Sequence, residues 1–300
     1  MAKPFLKWAG GKRQLIGVLE KNFPPNFSKF NTYIEPFIGG GALLFHLLGK
    51  YEFDNVHISD VNPELVLCYR QIKHSVERVI LHHDKLIEDY PVDPDSRSEY
   101  FYEIRDSWNS NLDIDSMDDD QRCLRVARTL FLNKTCFNGL FRVNKSGKFN
   151  VPSGKYKNPS FETWRNLRAV SQALQDVNIH LGDYSKSLSW TDKKSFIYFD
   201  PPYRPLSKTS SFVSYSKGDF NDEDQKALAL FTRKLDSLGH KFMLSNSDPK
   251  NTIIDDNFFD DLYDGFQLQR ILASRAINSK ADRRGKLTEI LVTNYKQIEL

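Results

Sequence analysis

Residues 32–49, TYIEPFIGGGALLFHLLG, decide the fold class that the sequence predicts. A short strand over TYIEPF runs into three glycines, and a continuous apolar helix follows them. A second strand, NVHIS, comes next and ends at Asp60. Strand, glycine turn, helix and strand in this order indicate an α/β domain.

The remaining α/β elements come late in the chain. After residue 176 the sequence predicts two strands, a long helix from about Asp222 to Leu238, and two further strands. The four strands are VNIHL, SFIYF, KFMLS and EILVTNY.

The segment between these two halves has a different sequence pattern. Over residues 62–158, helical patterns surround the acidic connector DIDSMDDD, and a run punctuated by glycine and asparagine, FNGLFRVNKSGKFNVPSGKY, predicts a hairpin. We therefore expect one α/β domain made of residues 1–61 and 159–300, interrupted by an inserted, mostly helical module over residues 62–158 that carries the hairpin.

Composition limits the class of protein. The chain has 300 residues, of which 40% are apolar, so it can fill a globular core. Its three cysteines have neither pair spacing nor an even count, which argues against a disulfide framework or a zinc site and favours a reducing cytosol. No signal-peptide pattern or stretch of about 20 apolar residues occurs, so we expect a soluble, cytoplasmic protein without membrane contact.

Basic residues cluster in one part of the chain. The net charge is only +3, but residues 134–168 hold eight basic side chains against one acidic side chain. Aromatic residues interrupt this basic stretch: Phe137, Phe141, Phe149, Tyr156, Phe161 and Trp164. Cations that hold phosphates and rings that stack on bases suit a nucleic-acid surface. Composition alone leaves open a solvated face over core aromatics.

Acidic residues stand at the ends of the predicted strands. They are Glu35, Asp60, Asp183 in LGDY and Asp200 in DPPY. One such aspartate is usually a helix cap or a turn residue, but several on consecutive strands point to a ligand site, because open α/β sheets bind ligands outside the carboxyl ends of their strands.

The glycine turn and Asp60 together predict a nucleoside site. The glycines let the backbone approach a bound group closely, and an acidic residue about 20 positions later can accept hydrogen bonds from ribose hydroxyls. The turn is not G-x-G-x-x-G, and a tight strand-to-helix turn is an equally good explanation of it when taken alone.

The stretch YFDPPY, residues 198–203, predicts the chemistry. Proline disfavours the helical region for the residue before it, so Asp200 and Pro201 are held extended, and neither proline offers an N–H. A carboxylate and the carbonyl of Pro201 remain as two acceptors, which suit an exocyclic amine on a nucleobase. Tyr203 offers a face on which a planar base could stack. The alternative is a proline-rich turn with a packed tyrosine.

At this point the chain resembles the Dam family of adenine-specific DNA methyltransferases. The resemblance is carried, in the family's order, by PFLKWAGGKRQL, EPFIGGGALLF, FNGLFRVNKSGKFNVPSGKYKNP, YFDPPYRPLSKTSSFVSY and RGKLTEILVTNY. It implies an S-adenosylmethionine-dependent, Rossmann-like methyltransferase sheet with an inserted DNA-recognition domain. It also implies methylation of the adenine exocyclic amine in double-stranded DNA, most often within GATC.

The resemblance also assigns residues to roles. The cofactor site would comprise Trp8, Lys12, Phe37, Gly39, Asp60, Asp183 and Asp200. The catalytic motif would comprise Asp200, Pro201, Pro202 and Tyr203. The DNA contacts would comprise Asn138, Gly139, Leu140, Arg142 and Pro152. Arg142 is the expected reader of a guanine, because an arginine fits the two major-groove acceptors of that base. The basic segment SRAINSKADRRGK is expected to contact phosphate, although a solvated loop is an equally simple reading.

These observations lead to one expected function and several alternatives. The expected reaction is direct methyl transfer to a base swung out of the duplex, with S-adenosylhomocysteine as product, no metal and no covalent intermediate. No cysteine follows a proline, which excludes the nucleophile that a carbon-directed cytosine methyltransferase needs. A metal-dependent nuclease, a non-catalytic DNA-binding module and an NAD-dependent enzyme are the alternatives. We expect a monomer, and the sequence leaves open whether a cognate restriction enzyme exists.

Overall fold

One mixed sheet organises the chain, whose computed structural model describes residues 1–204, 220–273 and 287–296. The strands of the described residues are β1 Thr32–Glu35, β2 Asn55–Asp60, β3 Val177–Leu181, β4 Ser195–Phe199, β5 Lys241–Ser247, β6 Gln267–Ala273 and β7 Leu287–Thr293. The α-helices are α1 Ile16–Lys21, α2 Ala42–Leu48, α3 Pro63–Glu88, α4 Pro94–Ser110, α5 Asp119–Thr135, α6 Trp164–Ala173, α7 Asp222–Ser237 and α8 Phe258–Leu262.

The strand order creates a crevice between β1 and β4. The order across the described sheet is β3-β2-β1-β4-β5-β7-β6, in which β1 to β5 are parallel and β7 is antiparallel to both of its neighbours. The chain builds outward from β1 through β2 to β3, and then restarts on the other side of β1 with β4. Such a reversal of strand order is where open α/β sheets bind ligands.

The central strands are buried on both faces, which explains their apolar sequences. Tyr33, Phe196 and Tyr198 belong to the core on one face of the sheet. Ile34, Ile197 and Phe199 belong to the core on the other face. Side chains alternate between the faces of a strand, so β1 and β4 contribute to both cores.

A third apolar cluster lies between α4, α5 and the segment that follows α5. Its buried members include Phe101, Trp108, Phe131 and Phe149. The long helix α3 reaches both regions: Leu65 and Ile72, near its start, belong to the sheet core, whereas Leu86 belongs to the third cluster. A non-helical residue, Ser75, with φ −136° and ψ 36°, interrupts the helix between them.

The α/β fold class is confirmed, with differences in detail. VNIHL, SFIYF and the helix after Asn221 form where predicted, the last beginning in a capping box between Asn221 and Asp224. The last predicted strand, residues 289–295, starts and ends two residues earlier, at Leu287 and Thr293. β6 was not predicted, because Gln267, Gln269 and Arg270 break the apolar pattern of this edge strand.

The predicted hairpin forms as a chain reversal with little regular strand. Isolated antiparallel bridges join Cys136 to Ser153 and Val143 to Phe149. The turn is closed by Asn144, whose backbone N–H donates to the carbonyl of Lys148 over 2.9 Å. We refer to residues 136–154 as the recognition hairpin. None of the described helices has the length and apolar character needed to cross a membrane.

Candidate active site

The crevice between β1 and β4 brings Asp200 to the amino-terminal segment. Asp200 directly follows β4, and the Nζ atom of Lys12 lies 2.7 Å from its Oδ1. Lys12 is only 5% exposed, and it also donates to the carbonyl of Gly10 over 3.0 Å. The same ammonium lies 4.3 Å from the centre of the Tyr203 ring, within cation–π range. Three residues that the sequence assigned to cofactor and catalytic roles therefore meet at one point.

Neighbouring strands hold the DPPY segment at both ends. The Ser245 hydroxyl, on β5, donates to Oδ1 of Asp200 over 3.1 Å. The Tyr203 hydroxyl donates to Oε2 of Glu289, on β7, over 2.5 Å. Between them, Nε2 of Gln225 donates to the carbonyl of Pro202 over 3.1 Å. The segment is thus tied to two strands and one helix of the sheet domain.

Arg204 secures the end of the segment. Its guanidinium forms ion pairs with Asp222 and Asp256, each at 2.7 Å. Its backbone N–H donates to Oδ1 of the buried Asn246 over 3.3 Å. These bonds fix the chain directly after Tyr203, so the ring has a defined offset from Asp200. The remainder of the predicted motif, residues 205–215, lies outside the described residues.

Burial raises the pKa values of several acidic groups at this site. Burial raises the pKa of the Asp200 carboxyl above its ordinary value, and the Lys12 ammonium opposes that rise. Burial also raises the pKa of Glu35 to about 8, although the Tyr33 hydroxyl donates to this carboxyl over 2.7 Å. Burial and the nearby Asp200 raise the pKa of Tyr203, which keeps its hydroxyl available as a donor.

The glycine turn after β1 lies against Trp8 and Asp60. Gly39 has a positive φ of +45°, and a Cβ there would lie 3.1 Å from Cδ1 of the Trp8 ring. Its backbone N–H donates to Oδ2 of Asp60 over 3.3 Å, and Asn62 N–H donates to Oδ1 over 2.9 Å. Burial raises the pKa of Asp60, and these backbone N–H groups oppose it. The turn thus joins the end of β1 to the end of β2.

Asp183 and Phe37 lie further along the same rim. Asp183 is exposed at the end of β3 and accepts from the backbone N–H of Ser185 over 2.7 Å. Phe37 stacks on Tyr184, the residue after Asp183, with ring centres 5.6 Å apart. Five of the cofactor residues expected from the sequence therefore lie at the carboxyl ends of β1 to β4, namely Phe37, Gly39, Asp60, Asp183 and Asp200. The other two, Trp8 and Lys12, reach this edge from the amino-terminal segment, against Gly39 and Asp200.

The residues expected to contact DNA lie in the recognition hairpin. Asn138 and Pro152 are exposed, and Leu140 and Arg142 are partly exposed. Nε of Arg142 donates to Oδ1 of Asn150 over 2.8 Å.

Gly139 differs from the other expected contacts. It is buried, and its carbonyl accepts from Asn133 over 3.0 Å. Gly139 therefore shapes the hairpin from inside. The basic segment over residues 274–286 lies outside the described residues.

Comparison with known proteins decides the family. The model of the family described as D12 class N6 adenine-specific DNA methyltransferase matches residues 8–277. The chain belongs to this family. The predicted resemblance to adenine-specific DNA methyltransferases is confirmed, and so is the prediction that the chain is an enzyme.

Curated relatives align with this methyltransferase over nearly its full length. The Type II methyltransferase M.MjaIII of Methanocaldococcus jannaschii is 49% identical over 98% of this chain and 99% of its own. The Type II methyltransferase M1.LlaDCHI of Lactococcus lactis subsp. cremoris is 39% identical over 98% of this chain and 95% of its own. A DNA adenine methylase of Haemophilus influenzae is 32% identical over 96% of this chain and 92% of its own.

Sequence reasoning missed several polar residues at the site of this methyltransferase. Ser245, Gln225 and Glu289 hold the DPPY segment, yet the sequence motifs assigned a role to none of them. Glu289 offered a signal, because it is the only charged residue of the strand Leu287–Thr293. Among the described residues, no group of three or more His, Cys, Asp or Glu side chains is arranged to hold a metal ion.

Proposed function

We propose that this methyltransferase transfers a methyl group from S-adenosylmethionine to the exocyclic amine of adenine in duplex DNA, within GATC, after swinging the base out of the helix. The observation that carries the proposal is the carboxylate of Asp200 at the end of β4, fixed beside Lys12 and Tyr203 in the crevice between β1 and β4. The DPPY sequence at this point and the family support the adenine amine as the acceptor.

The rim of the sheet fits S-adenosylmethionine. The glycine turn has room for a close approach of backbone, and Asp60 is an acceptor for ribose hydroxyls at the end of β2. Trp8 and Phe37 would cover apolar parts of the ligand, and Asp183 would accept from its adenine. When bound, S-adenosylmethionine supplies an electrophilic methyl group on its sulfonium.

Asp200 and Pro201 would activate the target amine. The amine's lone pair is delocalised into the adenine ring, so it becomes nucleophilic only when acceptors draw its hydrogens and favour a tetrahedral nitrogen. The Asp200 carboxylate and the Pro201 carbonyl are the two acceptors, since the Pro202 carbonyl already accepts from Gln225. Lys12 holds Asp200 in its ionised, accepting form, and no covalent enzyme intermediate is needed.

Tyr203 would hold the flipped base. A base that leaves the duplex loses a few kcal/mol of stacking, which a pocket with an aromatic wall partly restores. The bond that the Tyr203 hydroxyl donates to Glu289, together with the ion pair of Arg204 with Asp222, keeps the ring at a fixed position relative to Asp200. Pro202, which precedes it, restricts the backbone.

The recognition hairpin would select the sequence. Arg142 is the proposed guanine reader, Asn138, Leu140 and Pro152 are the proposed surface contacts, and Gly139 acts by shaping the hairpin. Residues 62–158 form the proposed recognition domain within a discontinuous catalytic domain, although the first half of α3 packs with the sheet core. We propose a monomer that acts on DNA in the cytoplasm. The name Type II methyltransferase, carried by two relatives, supports a restriction–modification role.

The test is to replace Asp200 with alanine. Transfer of tritiated methyl groups from S-adenosylmethionine to duplex DNA should fall by about 100-fold or more, since an activating group of this kind contributes on that scale. Folding, measured by thermal unfolding, and DNA binding should persist. Asp192→Ala is the matched control, because Asp192 precedes β4 and lies at the opposite end of the same strand, where Thr32 and Ser195 contact it.

Sequencing of methylated DNA from cells that express only this enzyme reports base and site together. N6-methyladenine within GATC is the expected result. If Asp200→Ala methylates DNA at a rate within a few fold of wild type, the catalytic assignment of Asp200 is wrong. If the methylated adenines lie in another sequence, only the GATC assignment is wrong. DNA cleavage that depends on a divalent metal would instead favour a nuclease.

A further inference from the structure

Asn133, near the end of α5, joins two separate segments of the chain through its side chain. It is 1% exposed. Its Oδ1 accepts from the backbone N–H of Lys7 over 2.8 Å, and its Nδ2 donates to the carbonyl of Lys7 over 3.0 Å. The second hydrogen of Nδ2 is donated to the carbonyl of Gly139 over 3.0 Å. One buried amide thus holds the amino-terminal segment and the recognition hairpin together.

The same two segments also touch directly. The rings of Trp8 and Phe141 stack with centres 5.2 Å apart and an angle of 22° between their planes. Gly139 has a φ of +63°, and a Cβ there would lie 2.7 Å from Cδ of Lys7. The two segments are therefore packed against each other, and a side chain larger than glycine at residue 139 would require a shift of Lys7.

The amino-terminal segment continues directly into the proposed cofactor site. Trp8 lies against Gly39 of the glycine turn, and Lys12 pairs with Asp200. Residues 7–12 therefore have the recognition hairpin at one end and the catalytic carboxylate at the other. A ligand that fixes Trp8 or Lys12 also fixes the backbone to which Asn133 binds.

We propose that Asn133 is a positioning residue that couples occupancy of the cofactor site to DNA recognition by the hairpin. The inference rests on the proposed function, in which residues 8–12 contact the cofactor and the hairpin contacts DNA. When cofactor or DNA is bound, the amino-terminal segment and the recognition hairpin are already positioned for the other ligand. Because such coupling is reciprocal, cofactor raises the affinity for the correct DNA by the same factor by which that DNA raises the affinity for cofactor.

Asn109 offers a matched control. Its Oδ1 accepts from the backbone N–H of Phe149 over 2.7 Å, and its Nδ2 donates to the Phe149 carbonyl over 3.1 Å. It therefore fastens the same hairpin to α4, with the same chemical groups, by two bonds that do not involve residues 7–12. Loss of Asn109 weakens the hairpin without breaking the proposed connection.

The experiment measures the affinity for S-adenosylhomocysteine by calorimetry, once without DNA and once with a saturating duplex that carries the recognition sequence of the enzyme. The affinity with this duplex divided by the affinity without DNA is the coupling ratio. In wild type and in Asn109→Ala, the duplex should tighten this affinity by about fivefold or more. In Asn133→Ala the coupling ratio of the affinity with duplex to the affinity without DNA should fall close to one, while the affinity measured without DNA stays within about twofold of wild type. The preference for the correct duplex over one with a single changed base pair, measured as kcat/KM, should fall in Asn133→Ala alone.

A second variant covers the case in which Asn133→Ala does not fold. Phe141→Leu removes the ring that stacks on Trp8 and keeps an apolar side chain, so it should also lower the ratio. A ratio of one in wild type, or a wild-type ratio in a folded Asn133→Ala or Phe141→Leu protein, overturns the proposal. Failure of the wild-type protein to bind S-adenosylhomocysteine or DNA at all would overturn the proposed function itself, and is thereby distinguished from loss of coupling.

Discussion

The ammonium of Lys12 lies 2.7 Å from the carboxylate of Asp200, so a cation from the amino-terminal segment neutralises the acidic residue at the end of β4. Asp200 is buried enough for its pKa to rise, and Lys12 is the main group that opposes this rise. The proposed chemistry needs the ionised carboxylate as an acceptor. Lys12 is therefore expected to act on catalysis through the protonation state of Asp200.

Replacing Lys12 with methionine should shift the pH dependence of methylation. Without the cation the pKa of Asp200 rises further, so the carboxylate protonates at higher pH and the acid limb of the kcat profile moves to higher pH. Single-turnover methylation measured across pH checks this. Lys73→Met is the control, since Lys73 donates to the carbonyl of Val177 on the edge strand β3. An acid limb that stays in place would contradict the role of Lys12.

Tyr203 should respond differently to loss of its hydroxyl and loss of its ring. Tyr203→Phe keeps the ring but leaves the buried carboxylate of Glu289 without this donor, so it should lower the free energy of unfolding by about 1–3 kcal/mol and retain substantial methylation. Tyr203→Ala should bind cofactor nearly normally and methylate far more slowly.

The measurements for Tyr203 are methylation rate, urea unfolding and the fluorescence of 2-aminopurine at the target position. This fluorescence rises when the base leaves the duplex and is quenched again when it stacks on a ring. Equal rates and equal fluorescence in Tyr203→Phe and Tyr203→Ala would show that the ring does not hold the base.

Arg142 and its partner Asn150 should control the choice of one base. Arg142→Ala should cost about 1–3 kcal/mol at one guanine and relax discrimination there. Asn150→Ala removes the acceptor that holds Nε of Arg142 and should weaken discrimination at the same base by a smaller amount.

The matched controls are Lys145→Ala and Lys148→Ala, whose side chains lie exposed on the turn of the recognition hairpin. They should weaken binding equally on all sequences and reduce the salt slope by about one. Competition binding against duplexes with single changed base pairs, repeated at several salt concentrations, separates the two behaviours. Full discrimination by Arg142→Ala would mean that another residue reads that base.

Glu35 should make the stability of the protein fall as pH rises. Burial raises the pKa of this carboxyl from 4.5 to about 8, so the folded state holds its proton more tightly than the unfolded chain does. The contribution to stability is full below the ordinary pKa and is lost as pH rises toward 8. Glu35→Gln, which keeps an acceptor for the Tyr33 hydroxyl, should remove this part of the pH dependence in urea unfolding. An identical pH dependence in both proteins would contradict a protonated Glu35.

Arg125 should contribute more to stability than a surface arginine does. It pairs with Glu64 at 2.6 Å, and the two side chains are only 4% and 12% exposed. Arg125→Met leaves this carboxylate unpaired and should lower the free energy of unfolding by about 3–5 kcal/mol. Arg168→Met is the control, because its pair with Glu77 is exposed and solvent screening should leave it with little effect on stability. Similar losses in both variants would show that burial does not distinguish the pairs.

Helices and strands with a strong pattern of their own could be predicted from the sequence alone. The strands SFIYF and VNIHL are short runs with a strong strand pattern, and the helix after Asn221 begins with its own capping residues, so each could be predicted without knowledge of its neighbours. β6 could not, because this edge strand depends on its pairing with β7. The recognition hairpin was predicted as a hairpin, but its bridges are isolated because bonds from side chains such as Asn109 replace part of the ladder.

The sequence by itself determined the family, the α/β class and the motifs that carry the proposed chemistry, because these are properties of consecutive residues. Only the tertiary structure decided which distant residues meet: Lys12 with Asp200, Glu289 with Tyr203, and Asn133 with Lys7 and Gly139. For Lys12 and Asp200 the physical reason is the reversal of strand order at β1, which sets β4 beside it and brings separate loops to one crevice. The other contacts depend on the pairing of β5 with β7 and on the packing of α5 against the amino-terminal segment. A motif specifies side chains, but hydrogen bonds and ion pairs depend on distances that only the packed chain defines.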